Sequence, residues 1–319
     1  MPVRFTSPSL GGQRDSFFKP GEWQFSAAFR RLYADKWFVG HNVDQTAAPF
    51  GKPLSLDIRS LDLSLTYGFT RQLNVTVTVP LSSGTQSRFY ADNNPHKVNA
   101  TGIGDINAIA SMWLFEPNLH VDGNVAIALG LKSHTGNNRT EDDFFPADGS
   151  ITRRVVDQSI QLGDGGWGFI AQGQAYQRIA NGLNAYAFGS YLISPKEKTG
   201  VPSPVSGVTL SVPDVYSVRT GLAYALAASR GVSVNLGARV DGIPLRDIVG
   251  GNDGFRRPGH TLFLDAGSSA RIGKQEFTVS VPIRIGQNFS RSLIDRERNL
   301  KGGGDLADYL VFAGYSVRF

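Results

Sequence analysis

Histidine, serine and the acidic residues are the first candidates for chemistry in this sequence. Metal sites built on nitrogen and sulfur need several ligands at short, regular spacing. The sequence contains no cysteine, and its five histidines lie far apart, at His41, His96, His120, His134 and His260. This spacing predicts no zinc site. The missing cysteine also excludes a disulfide, a thiol nucleophile and a cysteine-ligated metal.

One histidine has a serine beside it, and nucleophilic catalysis commonly pairs a serine with a histidine base. Ser133 immediately precedes His134 at the end of an alternating apolar segment. Side chains of adjacent strand residues point to opposite faces, so a hydrogen bond between this serine and this histidine is not expected. No catalytic residue is therefore assigned, and an enzyme that acts on lipids stays only as an alternative.

Two further segments carry residue types that bind ions. Glu141, Asp142, Asp143 and Asp148 fall in one long connection, where they could hold Ca²⁺ or simply be solvated. The glycine-rich stretch 163–168 lacks the lysine and the following helix of a phosphate-binding loop. We expect a solvated loop and a flexible turn, and we predict neither a cofactor nor a metal.

The elements that must position any site show a period of two along the whole chain. Phe277, Val279 and Val281, for example, alternate with Thr278 and Ser280. This alternation predicts strands with one apolar and one polar face. Twelve such segments are recognised, at 22–34, 54–69, 73–82, 103–116, 119–131, 167–179, 183–194, 215–228, 232–243, 261–272, 275–287 and 307–319.

The connections between these segments alternate strictly between short and long. Such alternation is typical of bacterial transmembrane barrels, which have tight periplasmic turns and longer outer loops. The sequence thus predicts an all-β fold: a single closed antiparallel transmembrane β-barrel of about 12 strands, with short periplasmic turns and long extracellular loops. We expect residues 1–319 to form one barrel domain, with residues 1–20 as a periplasmic N-terminal extension.

Three positions depart from the pattern of a regular strand. In the second segment the apolar residues change phase near Ser60, between Ile58 and Leu61, which predicts a bulge. Pro80 and Pro282 lie inside strands although proline has no N–H to donate to a neighbouring strand. We therefore predict a bulge or a local break in the hydrogen-bond ladder at each proline.

Composition and charge restrict the class of protein further. The chain has 319 residues, a charged fraction of 18% and a net charge of +5 without a basic cluster, which argues against a nucleic-acid binder. Its longest apolar run, from Leu222 to Ala228, is too short for a transmembrane helix. Residues 1–16 have no apolar core of a signal peptide. We expect that a signal peptide was removed and that the protein lies in the bacterial outer membrane.

Polar residues on the inward-facing parity of the strands are the candidates for a transport path through the lumen. They are Arg30, Arg59, Asp62, Asp122, Gln174, Arg178, Arg219, Arg239, Asp241, Asp265, Arg271 and Arg284. One interpretation is a set of arginine–carboxylate pairs that brace the interior. Another is a polar path whose arginines favour small anions such as aromatic carboxylates. A barrel of about 12 strands is narrow, so we expect a selective or gated pore.

The last segment of the chain carries a resemblance of its own. It runs from Tyr309 to Phe319 with apolar residues at alternate positions and a terminal aromatic ring. It resembles the C-terminal strand of bacterial outer-membrane proteins, which their assembly machinery recognises. This resemblance implies the barrel-assembly machinery as a partner through the strand that ends at Phe319. The lipid bilayer and lipopolysaccharide are the other partners that a barrel in this membrane implies.

A narrower resemblance covers roughly residues 100–170. The stretch Gly130-Leu-Lys-Ser-His-Thr-Gly136 is similar to the G-x-K-x-P-T-G strand end of the family named for the MetA-pathway of phenol degradation, with His134 at the usual proline. The segments 102–105 (GIGD) and 157–166 (DQSIQLGDGG) also resemble that family. The resemblance implies an outer-membrane barrel associated with uptake of small, often aromatic, compounds.

Four functions stay open on the sequence alone. The favoured one is a channel or transporter for passive uptake of small solutes, with aromatic or anionic compounds as candidates, because the strand pattern predicts a closed barrel with a polar lumen. The others are a barrel enzyme acting on lipids, a structural barrel with a plugged interior, and a soluble all-β protein. Side chains that close the lumen at every level would favour the plugged barrel.

Overall fold

The computed structural model describes residues 17–202, 207–227 and 231–319. The strands are β1 (Trp23–Val39), β2 (Asn42–Val43), β3 (Leu54–Gly68), β4 (Leu73–Phe89), β5 (Pro95–Ile103), β6 (Asn107–Trp113), β7 (Gly123–Lys132), β8 (Glu141–Phe144), β9 (Thr152–Val155), β10 (Gly168–Ala180), β11 (Leu183–Ile193), β12 (Lys198–Pro202), β13 (Thr209–Ser211), β14 (Val215–Ala227), β15 (Val232–Ile243), β16 (Gly259–Ile272), β17 (Gln275–Phe289) and β18 (Gly304–Arg318). The helices are α1 (Leu293–Glu297) and two 3₁₀ turns, Gln45–Ala47 and Pro49–Gly51. Within these ranges, no helix combines the length and the apolar character that crossing a membrane requires.

Twelve strands form a closed antiparallel ring. Its order is β1, β3, β4, β6, β7, β10, β11, β14, β15, β16, β17 and β18, and β18 pairs back onto β1. Each segment predicted from the alternating pattern overlaps one strand of this ring. The predicted fold, a closed antiparallel β-barrel of 12 strands, is confirmed. A closed ring pairs every strand on both sides, which is what a strand needs in hydrocarbon.

The outer surface of the ring is apolar. On β7, for example, Ile127, Leu129 and Leu131 are exposed on the outside, while Ala126 and Ala128 are buried on the inside. Exposed aromatic rings lie near both ends of the ring strands: Trp23, Phe69, Phe277 and Phe319 near the short turns, and Tyr33, Trp167, Phe169 and Tyr309 near the long connections. An apolar belt between two aromatic girdles is the surface of a barrel that spans a bilayer.

The ladder breaks predicted at the two prolines are confirmed. On one side of β4, pairing passes from β6 to β5 next to Pro80, and residues 104–106 leave the ladder there. The N–H of Gly104 still donates to the carbonyl of Pro80, at 2.8 Å. On β17, pairing with β18 is interrupted between Ser280 and Ile283, around Pro282. A missing N–H therefore removes ladder bonds locally without opening the ring.

The bulge predicted near Ser60 is wrong, because β3 pairs in continuous register with both of its neighbours. What changes at Ser60 is the surroundings of the strand. Toward the long connections, Leu56 and Ile58 pack inside the barrel, whereas Asp57 and Arg59 point outward. The polar and apolar faces exchange because the strand leaves the lipid belt on one side and meets an apolar core on the other.

Candidate functional site

The lumen holds a cavity of about 330 Å³ in the half nearer the short turns, and we call it the chamber. Hydroxyl and amide side chains are numerous in its wall, among them Ser26, Ser60, Ser64, Thr66, Asn74, Thr76, Thr78, Ser82, Ser111, Gln172 and Gln174. Several hydroxyls bond to each other across the strands, as between Ser64 and Thr78 at 2.8 Å. These pairs satisfy inward-facing polar groups of a wall that also contains charged side chains, such as Lys132 and Arg318, and apolar ones.

Four of the predicted lumen residues line the chamber: Arg30, Asp62, Gln174 and Arg271. The Nη2 atom of Arg30 lies 3.6 Å from Asp62 Oδ1. Arg271 pairs with Glu276 at 3.8 Å on the neighbouring strand. Cations and carboxylates therefore lie side by side on the wall, so the arginines of the chamber are paired with acids.

The outer half of the lumen is filled by buried apolar side chains, which we call the apolar plug. Its buried members include Leu32, Ala34, Trp37, Leu54, Leu56, Tyr90, Val98, Ala100, Val156, Ile160, Phe263, Ala307, Leu310 and Phe312. Val156 and Ile160 belong to the connection between β7 and β10, residues 133–167, which we call the inner loop. A Cβ on Gly84 would lie 2.8 Å from Ile160, so glycine at this position lets the loop approach the wall.

Two phenylalanines lie at the other end of the chamber, near the short turns. Phe18 is 8% exposed and lines both the chamber and a more open cavity at the mouth formed by the short turns. The guanidinium of Arg318 lies 4.6 Å from the centre of the Phe18 ring, and its Nη1 donates to the carbonyl of Phe17 at 2.8 Å. Phe17 packs on Trp113, with ring centres 5.0 Å apart. Residues 1–16 of the predicted extension lie outside the described residues.

A buried ionic cluster joins the inner loop to the barrel wall. Lys132 Nζ at the end of β7 donates to Asp105 Oδ2 at 3.0 Å, to Asp164 Oδ1 at 2.7 Å and to the Gly166 carbonyl at 2.7 Å. The N–H of Gly136 donates to Asp105 Oδ1 at 2.9 Å. The three sequence stretches that carried the family resemblance therefore meet at one place. Sequence analysis missed this cluster, although Lys132 is the one charged residue on the inward parity of β7.

On the opposite wall, two predicted pairs are buried in the interior rather than lining the chamber. Arg219 on β14 pairs with Asp265 on β16, and both side chains are almost fully buried. Ser280 Oγ donates to the other oxygen of Asp265 at 2.6 Å. Arg239 Nε lies 2.9 Å from Asp241 Oδ2. These contacts are the arginine–carboxylate bracing that the sequence left open as one interpretation.

The remaining predicted lumen residues lie at the ends of the barrel or outside it. Arg178 and Asp122 form an ion pair of 2.6 Å near the short turns. Arg284, toward the long connections, donates to Gln287 at 2.6 Å. Arg59 points outward, so its assignment to the lumen is corrected. In the part of β3 between Leu54 and Ser60, the polar side chains lie on the outer face of the barrel. A transport role for the predicted lumen residues stays a prediction.

The other chemical candidates have separate partners. Ser133 Oγ donates to the Ile106 carbonyl at 2.8 Å, while the His134 ring packs against Trp167 with centres 5.3 Å apart. The serine and the histidine are thus engaged in different directions. Among the described ranges, no group of three or more histidine, aspartate and glutamate residues is arranged to hold a metal ion.

One carboxylate in the inner loop has a shifted pKa. Partial burial raises the pKa of Asp157, but the charges of Arg257 and Arg88 lower it, and so do the hydrogen bonds from Ser159. The N–H and the hydroxyl of Ser159 donate to Asp157 Oδ1 at 3.0 and 2.8 Å. The net effect holds the pKa of this carboxyl below its usual range, so it is ionised at neutral pH.

A closed barrel of 12 strands with an apolar belt, a polar chamber and a filled outer half defines a membrane-spanning barrel of the outer-membrane class. No protein-family model and no curated protein sequence matches the chain. Among solved structures, the chain is similar to the COG4313 outer membrane channel from Pseudomonas putida F1, with 13% identity, a TM-score of 0.63, and coverage of 95% of this chain and 97% of that one.

A second similar structure is the translocator domain of the autotransporter NalP from Neisseria meningitidis. It has 12% identity and a TM-score of 0.50, and the alignment covers 96% of this chain and 91% of that one. Identities this low show a shared fold alone. At the level of the fold, the expected outer-membrane β-barrel is confirmed.

Proposed function

We propose that the protein is an outer-membrane channel for passive uptake of small solutes, with aromatic and anionic compounds as its preferred class. The observation that carries this proposal is the chamber, a cavity of about 330 Å³ within the barrel ring that polar, charged and apolar side chains line together. Its size falls at the lower end of the range of small-molecule sites, roughly 300–1,000 Å³. It therefore suits one small compound at a time rather than a stream of large solutes.

The lining supports compounds that combine a ring with a polar or anionic group. The apolar plug contains buried aromatic side chains, among them Trp37 and Phe312, which an incoming molecule would contact as the plug moves. Beyond the plug, Arg30 and Arg271, paired with Asp62 and Glu276, stand among hydroxyl and amide side chains that can donate to a hydroxyl or a carboxylate. A monoaromatic acid or alcohol would meet a matching surface at both levels.

The apolar plug lies at one end of the chamber and Phe18 at the other, so we expect passage to require movement of both. The inner loop is the part of the plug that can move without breaking the ring, because it is joined to the wall by side-chain contacts rather than by ladder bonds. Because the plug and Phe18 obstruct the lumen at two levels, a second candidate is a structural barrel with a plugged interior. The two functions differ in whether any solute passes.

Uptake by proteoliposomes separates these candidates. We expect the full-length protein to admit benzoate and phenol faster than it admits sucrose, and Ile160→Ala to raise the rates because it thins the plug. Ile151→Ala is the matched control, since Ile151 lies in the same loop and is exposed. If neither the wild type nor the double variant Ile160→Ala/Phe18→Ala passes any of the three solutes, the channel is excluded and the plugged barrel stands.

A further inference from the structure

Two arginines on the outer wall of the barrel face each other across neighbouring strands. Arg31 on β1 is the register partner of Arg59 on β3. Asp57 binds both: its Oδ2 lies 3.0 Å from Arg31 Nη2 and 2.8 Å from Arg59 Nη2. The arginine side chains are 42% and 58% exposed, so one carboxylate serves two accessible guanidiniums and the group keeps a net positive charge.

The height of this arginine pair on the barrel is fixed by the strand register. The outward row immediately below it consists of exposed apolar side chains, Phe29, Leu61, Leu81 and Ile103. The pair itself continues along the wall into Ser83 and Thr101, whose hydroxyls are 2.9 Å apart. The arginine row is thus the first polar row above the lipid belt, on the side of the long connections. It lies at the level of the outer-leaflet head groups.

The chemistry of the row indicates what it binds. A guanidinium has five N–H donors, so each arginine keeps donors that Asp57 does not occupy. Planar guanidiniums match the geometry of phosphate oxygens, and adjacent hydroxyls donate to phosphate or sugar oxygens. We propose that Arg31 and Arg59 bind a phosphate of lipopolysaccharide, the phosphorylated glycolipid of the outer leaflet. This proposal rests on the outward face alone and is independent of transport through the lumen.

Titration of the purified full-length protein in a neutral detergent with fluorescent diphosphoryl lipid A tests the site. We expect Arg31→Gln/Arg59→Gln to weaken binding about tenfold, the equivalent of one lost charge-assisted contact. Asp57→Asn should act in the opposite direction and tighten binding, because it removes the competing carboxylate. Arg71→Gln is the matched control, since Arg71 is a similarly exposed arginine of an ion pair near the short turns.

Several outcomes would overturn the proposal. One is equal affinity of the wild type and the double arginine variant, and another is weaker binding by Asp57→Asn. Equal competition by phosphatidylglycerol in the same detergent would assign the row to anionic lipids in general and not to the glycolipid. The heat-dependent gel migration of folded barrels identifies a variant that fails to fold. In that case the single variants Arg59→Gln and Asp57→Asn are compared instead, because the first should weaken the binding of lipid A and the second should tighten it.

Discussion

Lys132 Nζ lies 2.7 Å from Asp164 Oδ1, and this contact ties the loop that fills the lumen to the wall that surrounds it. The lysine also pairs with Asp105, next to the point where residues 104–106 leave the ladder beside Pro80. An ammonium between two buried carboxylates is held by charge as well as by geometry. Lys132 is therefore one of the wall residues that fix the position of the inner loop.

Removal of that ammonium should destabilise the barrel. Lys132→Met leaves the carboxylates of Asp105 and Asp164 buried without a cation, and breaking such a pair typically costs about 3–5 kcal/mol. We expect a loss of that order in urea unfolding of the reconstituted protein, followed by tryptophan fluorescence. Limited proteolysis should cut the inner loop faster than in the wild type.

Lys301→Met provides the comparison for this measurement. Lys301 pairs with Asp44 at 3.0 Å, but its side chain is largely exposed. Exposed ion pairs contribute about 0–1 kcal/mol, so this variant should unfold close to the wild type. An equal loss in both variants would contradict a special role of the buried cluster.

Phe18 is expected to limit passage at the end of the chamber near the short turns. Phe18→Ala removes the ring that separates the chamber from the open mouth, at a cost in stability of about 3 kcal/mol. In planar bilayers we expect a higher single-channel conductance and longer open times than in the wild type. Phe69→Ala, which removes an exposed ring of the girdle near the short turns, should leave the conductance unchanged. Identical traces for Phe18→Ala and the wild type would show that the closure lies elsewhere.

The buried pair of Arg219 and Asp265 should behave as a unit. Arg219→Leu or Asp265→Leu alone leaves one buried charge without its partner, which costs about 3–5 kcal/mol. The double variant leaves neither charge, so its loss of unfolding free energy should be well below the sum of the single losses. Urea unfolding of all four proteins measures this coupling. A sum of single losses equal to the double loss would mean that the two residues act independently.

The Asp157 carboxyl should make the anchoring of the inner loop sensitive to acid. Its pKa is lowered in the folded protein, so its stabilising effect is fully present above the ordinary aspartate pKa of about 3.9 and is lost as the pH falls through the folded value. Asp157→Asn should therefore lower the melting temperature at neutral pH, and the difference from the wild type should shrink in acid. Asp253→Asn, at an exposed position, should show little difference at either pH. A constant difference across the whole pH range would contradict this assignment.

The strand pattern was sufficient to predict the ring because lipid imposes a simple rule on every strand within the belt. Leu129, for example, faces outward and its neighbour Ala128 faces inward. Within the belt, the alternation of apolar and polar or small residues therefore shows which face of the barrel each side chain occupies. The same rule fails above the belt. Arg59 was assigned to the lumen because it is polar, yet at its level the outside is polar and the inside meets Leu56 of the apolar plug.

Less of the site than of the fold could be predicted from the sequence. Arg30, Asp62, Gln174 and Arg271 line the chamber as their parity predicts. The positions of Phe18 and of the Lys132 cluster were not predicted, because they depend on segments outside the alternating strands. Phe18 lies before the first strand, and Asp105 and Asp164 lie in irregular backbone. Only long-range contacts bring such residues into the lumen, and a periodic pattern contains no information on those contacts.

The pairing of β1 with β18 has a consequence for how the protein reaches its final state. The first and last strands of the ring are partners, so no intermediate that lacks either one can complete the cylinder. An incomplete cylinder would present a row of unpaired N–H and C=O groups to hydrocarbon. Insertion into the membrane and pairing of β1 with β18, which we call the seam, are therefore coupled events. Once the seam has formed, its reopening would require many bonds to break together, and the lifetime of the protein in the bilayer is then set by kinetics.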